Sequence, residues 1–160
     1  WSKTYAMTGW RLGYALWPEH LVEHATRLAI NCHSCVNAPT QFAGIAALEG
    51  SQDSVHEMVA AFDERRGVIV DLLNKVPGFS CRMPGGAFYA FPNITGTGLT
   101  AQQLQNLMLE EAAVATVAGT AFGSFGEGYV RFSYANSVEN IRIALGRVTE
   151  LLGASAAVAE

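Results

Sequence analysis

The hydrophobic spacing changes once along this chain, at Pro77-Gly78, and that change limits the folds open to it. Before it, apolar residues recur every three or four positions. Leu21, Val22, Ala25, Leu28 and Ala29 mark a first helix, with His20, Glu23, His24 and Arg27 on the opposite face. A second helix is expected from about Pro39 to Gly50. A third runs from the SQDS cap to about Lys75, with Val55, Met58, Phe62, Ile69 and Leu73 on its apolar side. After Pro77-Gly78 the segments are shorter. FSCRM, a PGG turn and AFYAF read as a hairpin or bent strand pair, and residues 129–135 read as a strand. A helix capped by Thr100 over residues 101–113, a brief strand over 113–117, and a last helix capped by Ser137 and ended by Gly153 complete the pattern. The nearly all-apolar run over 10–17 reads as a buried strand interrupted by Arg11. The expectation is an α/β or α+β chain in two parts joined by the long helix.

Half of the 160 residues are hydrophobic and 15% are charged, against about a quarter in an average domain. This balance excludes disorder and predicts apolar surface that meets another piece of protein. The net charge is −4 and the ten Lys and Arg are scattered, so no basic stripe points to nucleic acid. No apolar run reaches the length of a membrane span. Three cysteines do not make a disulfide framework, which suits a reducing, cytoplasmic setting.

Arginines inside apolar runs are the first chemical signal. A guanidinium in WRLGYALW needs an anion if it is buried, because stranding a charge costs several kcal/mol. Its planar donors match phosphate or carboxylate. Lys3 lies eight residues before Arg11, across a turn containing Thr8 and Gly9, so the pair is placed to hold a phosphorylated carbonyl compound. An edge-strand arginine and a solvated lysine are the alternative, and the commoner outcome on residue type alone. In GYVRFSYAN, alternation sets Val130, Phe132 and Tyr134 on one face and Tyr129, Arg131 and Ser133 on the other. Arg131 is a candidate clamp for a carboxylate, with a half-exposed strand arginine as its alternative.

SKTYAMTGWRLGYAL resembles the lysine segment of class I and II pyridoxal-phosphate aminotransferases, of the aspartate aminotransferase type. The likeness continues in order through VNAPTQFAGIAAL, PGGAFYAF and AGTAFGSFGEGYVRFSYANS, essentially from Trp1 to Gly153. The resemblance implies the C-terminal half of the transferase fold. Residues 1–50 would be a remnant of the large cofactor-binding domain, 51–77 a linking helix, and 78–160 the α+β small domain. It further implies that Lys3 condenses with the cofactor aldehyde, Arg11 holds the cofactor phosphate, Arg131 receives the substrate α-carboxylate, and Phe88 lines the substrate pocket. The segment around Asn37 is similar to the stretch that approaches the neighbouring subunit's site in family dimers.

The implied reaction moves an amino group between an amino acid and a 2-oxo acid, with pyridoxal 5′-phosphate as cofactor and a homo-oligomer and the N-terminal half as partners. In the family, the acidic partner of the pyridine nitrogen and most of the phosphate-binding backbone lie before the lysine. The implied expectation is therefore that Trp1 is a cut inside an active-site loop, and that these residues alone bind the cofactor poorly and turn over little. Ala118 departs from the proline often found at that position. A lyase of the same fold and a non-catalytic dimerisation or folding module are the alternatives.

Other motifs carry less. His20-Leu21-Val22-Glu23-His24 spells a zinc-protease pattern, but both histidines fall on the polar helix face beside Arg27, and no metal site is expected. Cys32-His33-Ser34-Cys35 lacks a second pair and a thioredoxin-like context. GTAFGSFGEG has no Gly-Lys-Ser/Thr to make it a phosphate loop.

Overall fold

A computed structural model describes residues 1–158 and divides the chain into two compact units, residues 1–58 and 59–160. The first holds a 3-10 turn (Thr8–Trp10), helices α1 (Glu19–His33) and α2 (Ala38–Glu49), and the start of α3 (Asp53–Leu73). Asn37 caps α2 by accepting from the Thr40 N–H at 3.2 Å, and Gly50 follows its end. Ser51 Oγ accepts from the Asp53 N–H at 3.1 Å where α3 begins.

The expected strand over 10–17 is not formed. Residues 11–18 carry no regular structure, and Tyr14 and Leu16 are 77% and 90% exposed. A strand exists only through hydrogen bonds to a neighbour, and no strand is assigned before Tyr89 among the described residues. The α1 periodicity is real, yet the helix has no buried residue on either face.

The second unit holds the rest of α3, β1 (Tyr89–Ala90), α4 (Ala101–Ala112), β2 (Val117–Ala118), β3 (Val130–Ser133) and α5 (Val138–Val158). Its antiparallel sheet has the order β1-β3-β2, with Tyr89 opposite Ser133 and Val117 opposite Arg131. FSCRM does not pair along AFYAF. Only Ser80 bridges back, to Asn93, and β1 takes β3 as its ladder partner. Thr100 and Gln103 form a full capping box on α4. Ile69, Leu73, Leu104, Met108, Val130, Tyr134 and Val148 are each at most 2% exposed and make one core between the helices and the sheet. The last helix runs through Gly153 to Val158. Glycine is a weak helix former but an obligatory stop only where φ must turn positive.

Candidate functional site

Lys3 and Arg11 sit in the first unit, on a loop pinned to α2 through their neighbours. The Trp1 indole N–H donates to the Gly44 carbonyl at 3.0 Å, Trp1 meets Tyr14 edge-on, and the Tyr5 hydroxyl donates to Gln52 Oε1 at 3.1 Å. Leu12 lies against Gly44, where a Cβ would come within 2.4 Å of Leu12 Cδ2. The anchored side chains Trp1, Tyr5 and Leu12 thus flank two exposed cations.

Hydrogen bonds inside the loop tie the two cations' turns together. Ala6 N–H donates to the Lys3 carbonyl, and Thr8 Oγ1 donates to the Ser2 carbonyl at 2.9 Å. Arg11 Nη1 donates to the Thr8 carbonyl at 3.2 Å. Arg11 holds a left-handed backbone, φ 54° and ψ 48°, a conformation that costs a residue with a Cβ roughly 1–2 kcal/mol. Strain of this kind concentrates where a side chain's aim matters.

An open hollow of about 520 Å³ is lined by Ala6, Gly9, Trp10, Arg11, Asn37 and Thr40. Arg11 therefore lines the same hollow as Asn37 and Thr40 at the positive N-terminal end of α2. Lys3 stands on the adjoining turn and is not among the lining residues. Neither ion pair among the described residues involves Lys3 or Arg11. Sequence reasoning had placed Asn37 only by resemblance, and Thr40 not at all. The N-cap pattern Asn-Ala-Pro-Thr was the available signal.

Arg131 and Phe88 belong to the second unit. Arg131 is half-buried on the middle strand, and Val130 and Phe132 point into the core on the opposite face, as the alternation predicts. Its guanidinium carbon lies 4.3 Å from the Tyr89 ring centroid and 4.7 Å from that of Phe122. No carboxylate pairs with it among the described residues. The Phe88 ring sits 6.0 Å from Phe62 and 4.5 Å from Tyr89, at the edge of the core.

Three carbonyls of the PGGAF turn are held. Arg66 Nη1 donates to Pro84 O at 2.9 Å, the Tyr134 hydroxyl to Ala87 O at 2.9 Å, and the Tyr134 N–H to Phe88 O at 2.9 Å. Burial pushes the Tyr134 hydroxyl above its ordinary pKa, the nearby Arg66 pulls it down and Asp63 adds to the rise. Burial likewise raises the Cys81 thiol. Sequence reasoning missed Tyr89, Phe122, Arg66 and Tyr134 as neighbours of these groups.

His20 and His24 lie exposed on α1, where Arg27 pairs with Glu23. Among the described residues no three His, Cys, Asp or Glu gather in a metal-binding group, and no helix is long and apolar enough to cross a membrane.

A family model for aminotransferases of class I and II matches residues 1–148. The chain is 44% identical over 153 residues to an aspartate aminotransferase of Pyrococcus horikoshii, an overlap of 94% of this chain and 39% of that one. It is 42% identical, with the same shares, to an aromatic-amino-acid aminotransferase 2 of Thermococcus litoralis. The crystal structure of an aromatic aminotransferase from Pyrococcus horikoshii superposes with a TM-score of 0.92 at 41% identity, covering 96% of this chain and 41% of that one. The chain thus spans about two fifths of the length of the relatives it matches. A match of this extent, over a stretch that includes Lys3, Arg11, Phe88 and Arg131, settles the family: the chain belongs to the aminotransferases of class I and II.

Proposed function

We propose that this chain is the lysine-bearing part of an aspartate-type aminotransferase that uses pyridoxal 5′-phosphate to move an amino group from an amino acid to a 2-oxo acid. One observation carries the reading. An exposed arginine without a carboxylate partner borders an open hollow at a helix N-terminus, eight residues after an exposed lysine. That donor set suits a phosphate ester. Arg11 and the first turn of α2, with Asn37 and Thr40, would hold the phosphate, and Lys3 would hold the aldehyde end.

When bound, the cofactor's conjugated ring takes up the electrons left as the substrate α-proton departs. Lys3 Nζ takes that proton from the α-carbon and gives it up again. Arg131 receives the α-carboxylate through paired N–H donors and so fixes the direction of the α-C–H bond. Phe88 supplies an apolar wall held in place by its turn. The reading assigns residues 1–50 to the large domain, 51–77 to a linking helix and 78–160 to the small domain. It also takes the protein to be cytoplasmic and its working form to be a homo-oligomer; the exposed Trp10, Tyr14, Leu16 and Trp17 support association with further protein.

The test is a chimera in which this chain replaces the matching stretch of the Pyrococcus horikoshii aspartate aminotransferase. Aspartate-dependent formation of glutamate from 2-oxoglutarate is expected, falling by about 10²–10⁴-fold in Lys3→Ala. Borohydride treatment should fix the cofactor on the Lys3 peptide by mass. Release of ammonia and pyruvate without an oxo acid would assign the lyase chemistry instead, and fixation at another lysine would overturn the role of Lys3.

A further inference from the structure

We infer that Tyr89 and Phe122 are positioning residues that hold the Arg131 guanidinium against their rings and leave its outer N–H edge for a carboxylate. The inference rests on the carboxylate role proposed for Arg131 and adds what fixes that side chain.

Arg131 lies on the middle strand, between β1, which carries Tyr89, and β2, which leads into the 3-10 turn Gly119–Phe122. Aromatic rings therefore reach the guanidinium from the segments on both flanks, at 4.3 Å and 4.7 Å to their centroids. A cation over a ring face is attracted by the ring quadrupole within about 6 Å of the centroid. A free arginine side chain samples many rotamers, and an ion-pairing acid would occupy its donor edge. Rings restrict the plane and leave the in-plane donors unused, which is the state that binding a planar carboxylate needs.

Both rings are themselves supported. Phe91 stacks on Tyr129 at 5.3 Å with 8° between planes and meets Phe122 edge-on at 6.1 Å. Tyr89 packs on Phe88, whose carbonyl is held by the Tyr134 N–H. Phe122 owes its place to a backbone crossing. The segment 119–126 folds so tightly that a Cβ on Gly119 would stand 2.0 Å from the Gly126 carbonyl oxygen, and one on Gly126 1.9 Å from that of Gly119. Phe122 is 54% exposed, more than core packing alone would produce, so its contact with Arg131 and Phe91 is what it contributes.

The experiment is an NMR titration of this chain with propionate, a carboxylate without an amine, followed at the Arg131 Nε–Hε resonance. In the parent chain the ring currents should displace that resonance from its free-arginine position, and propionate should move it further. Phe122→Leu and Tyr89→Leu should each return the resonance toward the free position and weaken propionate binding five-fold or more. Tyr89→Phe and Phe122→Tyr, which keep the rings, should stay within two-fold of the parent. Amide spectra of the core residues confirm that each variant is folded. A different pair of outcomes separates the two readings. Binding to Arg131→Lys is followed at the backbone amides of Val130 and Phe132, and if that variant abolishes propionate binding while both leucine variants keep it within two-fold, the rings do not position Arg131 and only this inference falls. If Arg131→Lys leaves the binding unchanged, or the parent shows no propionate shift at Arg131, the carboxylate role falls and this inference with it.

Discussion

The two units of this chain are built on opposite principles. In residues 59–160 an apolar core with many members below 2% exposure ties three helices to a sheet. In residues 1–58 the buried side chains are Met7 and Thr40, while Leu28, Phe42 and Leu48 are 65%, 72% and 57% exposed. The order of the first unit comes from caps and single hydrogen bonds, such as Asn37 on Thr40 and Trp1 on Gly44. Burial of a Leu or Phe contributes roughly 1.5–3 kcal/mol, whereas one net hydrogen bond gives about 1 kcal/mol. In this chain the first unit therefore leaves an apolar face open to another piece of protein, whereas the second buries its own and gives β3 a fixed register.

The strongest way to break this comparison is to remove a leucine from each unit. Leu73 is fully buried, so Leu73→Ala should cost about 2–5 kcal/mol by lost transfer energy and the cavity left behind. Leu28→Ala, on the exposed α1, should stay within about 0.5 kcal/mol. Denaturant unfolding followed by circular dichroism measures both. A cost above 2 kcal/mol for Leu28→Ala would show that α1 is packed and the comparison misplaced.

Glycines give the next largest contrast. In Gly126→Ala the new Cβ would meet a backbone carbonyl at 1.9 Å, so the 119–126 crossing must open, at a cost of about 1–3 kcal/mol. In Gly44→Ala the obstacle is the tip of Leu12 at 2.4 Å, a side chain that can swing aside, so the expected loss is smaller. Equal melting-point losses would mean that the loop on α2 is as rigid as the sheet loop.

Much of this organisation is legible in the sequence where the signal is local. Thr100 with Gln103 announces α4, Asn37 and Gly50 bracket α2, and the alternation from Val130 to Phe132 gives the faces of β3. The failures share one cause, which is that the deciding partner is distant or missing from the local window. The run over 10–17 has the composition of a buried strand, but composition supplies no ladder partner. AFYAF looked toward FSCRM, its neighbour in sequence, while β1 pairs with β3 more than forty residues on. Gly153 reads as a stop, yet Leu152 is buried beside it and the helix continues. At the candidate site the cations were visible as anomalies in apolar runs. Their surroundings were not, because Phe122 reaches Arg131 through a backbone crossing that no residue pattern encodes.

Tyr134 sharpens the comparison through pH. Its hydroxyl donates to Ala87 O from a position 1% exposed, so Tyr134→Phe should cost about 1 kcal/mol at neutral pH. The folded-state pKa lies above the unfolded value of about 10. Between the two values the folded chain binds the extra proton, so stability falls as pH rises through that window and is unaffected below it. The parent's second unit should therefore lose stability above roughly pH 10, and the phenylalanine variant should lose less over the same range. Alkaline unfolding curves of the two proteins should converge; parallel curves would remove Tyr134 from the account.

The smallest effect discriminates most finely, because each N-cap side chain accepts from a backbone N–H three residues on, while Thr100 adds the reciprocal Gln103 bond and its helix buries more. Asn37→Ala and Thr100→Ala each remove a side-chain acceptor from a helix N-terminus, typically about 1 kcal/mol or less. Helix α4 buries Ala101, Leu104, Met108 and Ala112, so its cap is coupled to the core. Losing Thr100 should lower the global unfolding free energy by nearly the full amount and leave exchange at the helix start slow. Helix α2 buries only Thr40 and Gly44, so its cap is a large share of what holds its first turn. Losing Asn37 should leave global unfolding almost unchanged and speed hydrogen exchange at Thr40 and its neighbours several-fold. If Asn37→Ala instead shifts global unfolding as much as Thr100→Ala does, α2 draws its order from packing, and the hollow beside Arg11 has a rigid wall rather than a locally capped one.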